Sequence, residues 1–99
     1  MVFAVIVSLH AKDDVEEQLR AKLAEASKIY SKDAGVLGWH PLQSTDDSRK
    51  WTIVQLLDQE SSVEKHREDP EYKALAASLV SLLENGQEGL HVHRFQGAL

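Results

Sequence analysis

The chain has 99 residues, which is enough for one domain and too few for two. Hydrophobic residues make up 42% of it and charged residues 27%, as in ordinary globular proteins, and the net charge at pH 7 is −5. The acidic residues are spread along the chain and no basic patch suits a phosphate backbone, which argues against a nucleic-acid partner. The absence of cysteine excludes disulfides, thiolate metal ligands and cysteine nucleophiles.

No segment has the pattern of a membrane span or an export signal. The longest apolar run, residues 2–7, is far shorter than the roughly 20 residues that cross a bilayer, and no basic region precedes it. We therefore expect no membrane association and a cytoplasmic location. A domain of this size buries only about two-thirds of its unfolded surface, and pairing with a second copy is a common way to bury more.

The first third of the chain predicts a strand followed by a helix. Residues 2–9 are apolar on both alternating faces, which is typical of a strand that lies centrally in its sheet. Apolar residues then recur at spacings of three or four over residues 13–30, which indicates an amphipathic helix. Those residues are Val15, Leu19, Leu23, Ala26 and Tyr30. Asp13 or Asp14 is expected to cap this helix, with an acidic capping-box partner three residues later.

The middle of the chain predicts a β-hairpin. Residues 37–43 form a short strand that contains Pro41, and a proline without an N–H group places that strand at a sheet edge or a bulge. Residues 45–48 are a polar turn, and residues 51–57 are a second, nearly continuous β run.

The last third predicts a helical region and a final strand. Residues 61–64 have the form of a capping box, and Asp69-Pro70 restarts a helix. The leucines expected to face inward from that helix are Leu75, Leu79, Leu82 and Leu83. Asn85-Gly86 is expected to end the helix, and residues 90–95 make the last strand.

The predicted order is β-α-β-β-α-β, the ferredoxin-like α+β pattern of a four-stranded antiparallel sheet with two helices on one face, formed by a single domain of residues 1–99. Two helices cannot cover both faces of such a sheet. Because the first and third strands are apolar on both sides, the second face needs a cover from elsewhere. A second copy of the chain is the simplest cover, and we therefore expect a homodimer with its sheets face to face.

Motifs for nucleotide, phosphate or zinc-protease chemistry are missing from the sequence, and His66 is the strongest catalytic candidate that remains. It lies three residues after Val63 on the predicted second helical region, so both can share the inward face. An imidazole there could act as a general base toward a phenolic hydroxyl. The alternative is a surface histidine among the charged residues Glu64, Lys65 and Arg67.

A second histidine motif is His91-x-His93, whose two imidazoles lie on one face of the last strand and could chelate a metal. The spacing specifies no third ligand, although His10 or His40 could approach in the fold. The alternative is a pair of exposed or interface histidines. We expect no metal site.

The third strand carries the pattern of a small-molecule site, because Trp51, Ile53, Gln55 and Leu57 share one face. Gln55 is a polar group on a strand predicted to be buried, and a buried amide needs partners from the backbone, a dimer mate or a ligand. Trp51 belongs to the core or rim, or stacks on a ligand, and Trp39 near Gly38 has the same alternatives. These residues predict a small apolar cavity with a few polar groups, and they do not identify the reaction.

Three segments carry a family resemblance, together with the opening strand and helix. Ala34-Gly35-Val36-Leu37-Gly38-Trp39 is similar to Pro-Gly-Cys-Leu-Gly-Tyr. Residues 51–58, Trp-Thr-Ile-Val-Gln-Leu-Leu-Asp, are similar to an aromatic-started strand that ends in Glu-x-Trp-acidic. Residues 63–72, Val-Glu-Lys-His-Arg-Glu-Asp-Pro-Glu-Tyr, are similar to a segment with Ala-His-x-x-x-Pro-His-Phe. In this order, over residues 2–95, the chain resembles the antibiotic biosynthesis monooxygenase (ABM) family of dimeric α+β barrels.

The resemblance implies a fold and a dimer more strongly than a reaction. Members of the family include cofactor-independent oxygenases of anthrones and quinols, a haem-degrading branch, an isomerase branch that acts on a signalling sugar derivative, and proteins of no known activity. The positions of the polar and aromatic residues of the haem branch correspond to Val7, His66 and Ala76 in this chain. None of these three residues is the one that the haem branch has there. Those of the anthrone branch fall at Ile53, Leu57 and Ala76, which are apolar.

His66 and Tyr72 match the wider family's histidine and aromatic positions, and Gln55 stands where glutamate is common. The resemblance therefore implies a cofactor-independent monooxygenase of a small electron-rich aromatic, with His66 as the catalytic base and with no cofactor or metal. The residues expected to line the substrate site are Val7, Trp51, Ile53, Gln55, Leu57, Tyr72 and Ala76.

Two other functions suit the same scaffold. A non-catalytic dimeric binding module is favoured by the apolar residues at Val7, Ile53, Leu57 and Ala76. An isomerase or cyclase would use His66 as an acid and base without consuming dioxygen.

Overall fold

The computed structural model describes residues 2–32, 35–59, 68 and 70–98. Within this part the elements are β1 (Phe3–His10), α1 (Glu16–Tyr30), β2 (Val36–Gln43), β3 (Lys50–Leu57), α2 (Pro70–Val80), a 3₁₀ helix (Gly86–Gly89) and β4 (Leu90–Gln96). The predicted β-α-β-β-α-β order is confirmed.

The four strands form one antiparallel sheet in the order β2-β3-β1-β4. The two strands that are apolar on both alternating faces, β1 and β3, therefore lie in the centre, and the Pro41-containing strand β2 lies at an edge. The predicted central position of β1 and the predicted edge position of β2 are confirmed. An edge strand tolerates proline on its free side, where no N–H group is needed for pairing.

The start of α1 differs from the prediction. The helix begins at Glu16, and its N-cap residue is Val15, which makes no side-chain capping hydrogen bond. Asp14 adopts a left-handed conformation with φ of 62°, while the carboxylate of Asp13 accepts a hydrogen bond from Arg49 at 2.6 Å. Neither carboxylate caps the helix. Glu16 in the first turn still interacts favourably with the positive end of the helix dipole.

The end of α2 also differs from the prediction, because the helix ends at Val80 rather than near Asn85. The chain leaves the helix there to pair with the end of β1. Leu83 forms an isolated bridge with Ala11, and the Glu84 N–H donates to the His10 carbonyl at 2.8 Å. These backbone bonds replace the last helical turn that the periodicity predicted.

The core lies between one face of the sheet and the helices, and we call this side the helix-side face. From the sheet it takes the odd-numbered residues of β1 and β3, and from α1 it takes the buried residues Leu19, Leu23, Ala26 and Tyr30. Leu75 and Leu79 of α2 and Leu83 beyond it are buried as predicted, while Leu82 is partly buried against the core. No helix in the described part of the chain is long and apolar enough to cross a membrane.

The other side of the sheet, the open face, carries apolar residues without a cover. Ala4, Ile6, Val54 and Leu56 lie on it and are only half-buried. Two further apolar residues of this face are exposed, Leu42 by 52% and Phe95 by 54%. The expectation that the two central strands present apolar residues on both sides therefore matches the structure.

Candidate functional site

The predicted site residues of β3 lie together on the helix-side face. Strand pairing places Ile53 opposite Val7 and Leu57 opposite Phe3, and Trp51 lies at the other end of the same row. Each of Val7, Trp51, Ile53, Gln55 and Leu57 is less than 7% exposed. The predicted common face of the β3 residues is confirmed, while their role in binding stays a prediction.

Gln55 is the polar residue in this apolar surface. Its side chain is 4% exposed, and it lies between Val5 of β1 and Trp39 of β2 in the cross-strand register. Taking an amide out of water is unfavourable unless it finds hydrogen-bond partners. The burial of Gln55 therefore requires hydrogen-bond partners for its amide.

A β-bulge brings Trp39 next to Gln55. The register of β2 shifts between Val36 and Gly38, so that Val36 pairs with Leu57 and Trp39 pairs with Gln55. An extra residue in one strand reverses the alternation of sides, and without it Trp39 would point to the open face. A Cβ on Gly38 would lie 2.7 Å from Nε2 at the tip of the exposed His40 side chain, which can rotate away, so this contact does not by itself require glycine.

Both tryptophans of the chain are buried and have unsatisfied indole N–H groups. Trp39 and Trp51 are each 5% exposed, and in the described part of the structure neither Nε1 atom has a hydrogen-bond partner. Trp39 packs edge-on against Tyr30 of α1, with ring centroids 5.5 Å apart. Trp51 lies under Arg20, whose guanidinium carbon is 5.8 Å from the ring centroid. Burial of both indoles agrees with the core interpretation, and their free donors are a feature that the sequence did not reveal.

The remaining predicted site residues come from the segment before α2 and from α2 itself. Ala76 is half-buried on α2. His66 and the side chain of Tyr72 lie outside the described part of the structure. The predicted roles of His66 and Tyr72 therefore rest on the sequence.

A second group of polar residues lies at one end of the sheet, where four loops and strand ends meet. Arg49 joins them, because its guanidinium donates to Asp13 at 2.6 Å, to Glu84 at 2.9 Å and to Nε2 of His10 at 3.0 Å. We call these four residues the clasp. The hydrogen bond to Asp13, opposed in part by desolvation, raises the pKa of Arg49 above its usual value, so the guanidinium stays charged. The Nδ1 atom of His10 lies 3.5 Å from a carboxylate oxygen of Glu84.

A recess of about 360 Å³ opens beside the clasp. It is lined by Ser8, Leu9, His10, Lys50, Trp51, Thr52, Glu84, Asn85, Glu88 and His91. Of the predicted substrate-site residues only Trp51 borders it, so the recess is separate from the surface around Gln55. No pattern in the sequence predicts this recess, because its residues come from strand ends and loops far apart in the chain.

The four described histidines, His10, His40, His91 and His93, belong to the open face. The register places His40 and His93 at the two ends of one cross-strand row, His40–Val54–Ile6–His93. His91 and His93 share a face as predicted. Among the described residues no group of three or more histidine, aspartate or glutamate side chains is placed to hold a metal ion.

A four-stranded antiparallel sheet in this strand order, with its helices on one face, is the ferredoxin-like α+β fold. The sequence matches the family model described as antibiotic biosynthesis monooxygenase over residues 2–78. The chain therefore belongs to the antibiotic biosynthesis monooxygenase family. Among functionally curated proteins, none matches the sequence significantly.

Solved structures share the fold at low sequence identity. A Nitrosomonas europaea protein, provisionally named an antibiotic biosynthesis monooxygenase, has a TM-score of 0.89 at 16% identity, covering 98% of this chain and 90% of its own. SnoaB, a cofactor-independent oxygenase from Streptomyces nogalater, has a TM-score of 0.87 at 9% identity, with coverages of 99% and 94%. Rv0793 from Mycobacterium tuberculosis has a TM-score of 0.85 at 20% identity, with coverages of 98% and 95%. At these identities the similarity shows a common fold.

Proposed function

We propose that the protein is a cofactor-independent monooxygenase that acts on a small electron-rich aromatic molecule of the hydroquinone or anthrone kind. One observation carries the proposal: in a member of this family, the amide of Gln55 is buried in an otherwise apolar surface on the helix-side face. Apolar walls with a few polar groups are typical of sites for small aromatic ligands. SnoaB, which shares the fold, is a cofactor-independent oxygenase and is therefore a precedent for oxygenation without a cofactor.

The proposed substrate site consists of apolar residues that form its walls and polar groups that act on the substrate. Val7, Ile53 and Leu57 are apolar and enclose the substrate ring from the sheet, and Trp51 extends this wall. On the helix side the proposed wall includes Ala76 of α2, which is half-buried, and Tyr72, which is assigned to it from the sequence. A wall of this kind excludes water, which strengthens every hydrogen bond and charge interaction inside it.

The chemistry needs a base, an electron-rich substrate and dioxygen. In the proposed reaction His66 removes a proton from a phenolic hydroxyl or from the tautomeric anthrone carbon, and the substrate anion transfers one electron to dioxygen. The substrate radical and superoxide combine through a new C–O bond, and the peroxide accepts a proton. Loss of water then leaves a carbonyl, so that one CH₂ group and O₂ give C=O and H₂O. Gln55 or Tyr72 donates a hydrogen bond to the substrate oxygen while negative charge develops on it.

A homodimer is part of the proposal. The open face presents half-buried Ile6 and Val54 together with exposed Leu42 and Phe95, and a contiguous apolar surface of this kind marks an interaction site. A second copy stacked on this face would bury it and leave the helix-side face of each copy for substrate. The cytoplasmic location expected from the sequence belongs to this proposal as well.

Two alternatives have specific support. The apolar side chains at Val7, Ile53 and Leu57, where polar groups could assist a reaction, favour a dimeric module that binds a small molecule without changing it. An isomerase or cyclase would use the same pocket with His66 as acid and base. The monooxygenase alone consumes dioxygen.

The test is oxygen uptake by purified, metal-stripped protein with a panel of hydroquinones and anthrones. We expect uptake above the spontaneous rate, and we expect His66→Ala to reduce it at least about 100-fold, the usual contribution of a general base. His91→Ala is the matched control, because it removes an imidazole from the face of the sheet opposite to Gln55. Uptake unaffected by His66→Ala would contradict the role of the base. Conversion of substrate without oxygen uptake would establish an isomerase, and tight binding without conversion would establish the binding module.

A further inference from the structure

The indole of Trp39 holds a hydrogen-bond donor that the proposed function leaves unused. Its side chain is 5% exposed, and its Nε1 atom is enclosed without a partner in the described part of the structure. A buried donor that has lost water without gaining an acceptor destabilises the fold, so native proteins leave few of them. An acceptor that arrives from outside the chain would remove this penalty.

The position of Trp39 connects the donor to the substrate surface. The bulge between Val36 and Gly38 turns it to the helix-side face, where it lies directly opposite Gln55. Directly opposed residues on antiparallel strands have Cβ atoms about 4.5–5.5 Å apart. Two buried groups with N–H donors, the indole of Trp39 and the amide of Gln55, are therefore neighbours within an apolar surface.

The ring of Trp39 is held in place. Tyr30 of α1 contacts it edge-on, with a centroid separation of 5.5 Å and an angle of 64° between the rings. Both residues are at most 5% exposed. A donor fixed by such packing loses little freedom when a ligand binds, which favours affinity and directional selectivity.

Trp51 has an unpartnered indole in the described structure as well, but the amide opposite it is not free. Its cross-strand partner is Gln43, whose amide is already engaged. The Gln43 Oε1 atom accepts from Arg20 at 3.1 Å, and its Nε2 donates to the Ser48 carbonyl at 2.8 Å. The pair of Trp39 and Gln55 therefore differs from the pair of Trp51 and Gln43.

We infer that the Trp39 indole N–H and the Gln55 amide N–H donate together to one oxygen of the substrate, and that Trp39 is a specificity-determining residue. This inference rests on the proposed function and assigns its substrate an oxygen-bearing ring rather than a bare hydrocarbon. A carbonyl or phenolate oxygen has lone pairs for two donors. The same pair stabilises the charge that gathers on this oxygen when the substrate is deprotonated.

The test compares two ligands that differ in one oxygen. Anthrone and 9,10-dihydroanthracene have the same three-ring skeleton, and only anthrone has the carbonyl. Both are titrated without oxygen, by calorimetry, into the parent protein, Trp39→Phe and Gln55→Leu. We expect Trp39→Phe to weaken anthrone binding about 10-fold, the effect of one hydrogen bond, and to leave dihydroanthracene binding unchanged. Gln55→Leu should show the same selectivity.

Several outcomes would overturn the inference. Equal losses for both ligands would mean that Trp39 acts by packing, and a parent protein that does not prefer anthrone would refute the oxygen-binding role. Oxygen uptake separates this inference from the proposed function. Anthrone that binds through Trp39 and is not oxidised contradicts the function alone, while oxidation with unchanged affinity in Trp39→Phe contradicts the inference alone.

Discussion

The two faces of the sheet differ in whether the hydrogen bonds of their polar groups are satisfied. On the two central strands, the helix-side face carries the single polar residue Gln55, which is buried, and the Trp39 and Trp51 indoles on that face have no partner in the described structure. At the polar end of the open face and its loops, polar groups are partly exposed and mutually satisfied, as in the contacts of Arg49 with Asp13 and Glu84. Exposed groups that satisfy one another stabilise the loops. Enclosed donors without acceptors stabilise nothing in the free protein, which makes the helix-side face the place to expect a ligand.

The first prediction has the largest expected effect. It compares substitutions of two adjacent leucines of β3 that lie on opposite faces of the sheet. Leu57 is fully buried on the helix-side face, and Leu56 is half-buried on the open face. Leu57→Ala should lower the free energy of unfolding by about 3 kcal/mol, because it removes core contacts and leaves a cavity. Leu56→Ala should cost less than half as much in dilute protein. Urea denaturation at low protein concentration measures both, and equal losses would contradict the difference between the faces.

The second prediction concerns the cover of the open face. Ile6 lies in its apolar centre, and Ser8 lies two residues further along the same strand and face. Ile6→Glu should weaken the dimer at least about 30-fold, since a carboxylate would be buried between two apolar surfaces. Ser8→Glu, near the polar end, is the matched control and should weaken it less. Sedimentation equilibrium gives both dissociation constants. A parent protein that stays monomeric at micromolar concentration would refute the face-to-face dimer.

Much of this organisation could be predicted from the sequence, because it depends on the spacing of apolar residues and on residues such as proline that restrict where a strand can lie. The double-sided apolar pattern of residues 2–9 predicted a central strand, and Pro41 predicted an edge strand. The alternation along β3 predicted that Ile53, Gln55 and Leu57 share a face. These features are local, so a single stretch of sequence contains the information.

Other features could not be predicted, because they depend on contacts between distant segments. The bulge that turns Trp39 inward reverses an alternation that the sequence alone leaves ambiguous near Gly38. Asp13 was expected to cap α1, but Arg49, 36 residues away in sequence, binds its carboxylate instead. Leu83 was expected in a helix, but the bridge to Ala11 draws it out. The clasp and its recess are visible only once these segments meet.

The smallest expected effect concerns that clasp. Arg49 is 31% exposed and its partner Asp13 is 79% exposed, so water screens their attraction, and exposed ion pairs contribute little to stability. Arg49→Gln should lower Tm slightly in dilute buffer, and added salt should reduce the difference. Lys73→Gln removes the same charge from an exposed position of α2 and controls for the change in net charge.

Because the clasp lies away from Gln55, Arg49→Gln should leave kcat/KM within about two-fold of the parent value, a change below 0.5 kcal/mol. A large, salt-independent loss of Tm would show that the clasp is a principal support of the fold, and a large loss of kcat/KM would place the substrate in the recess rather than on the helix-side face.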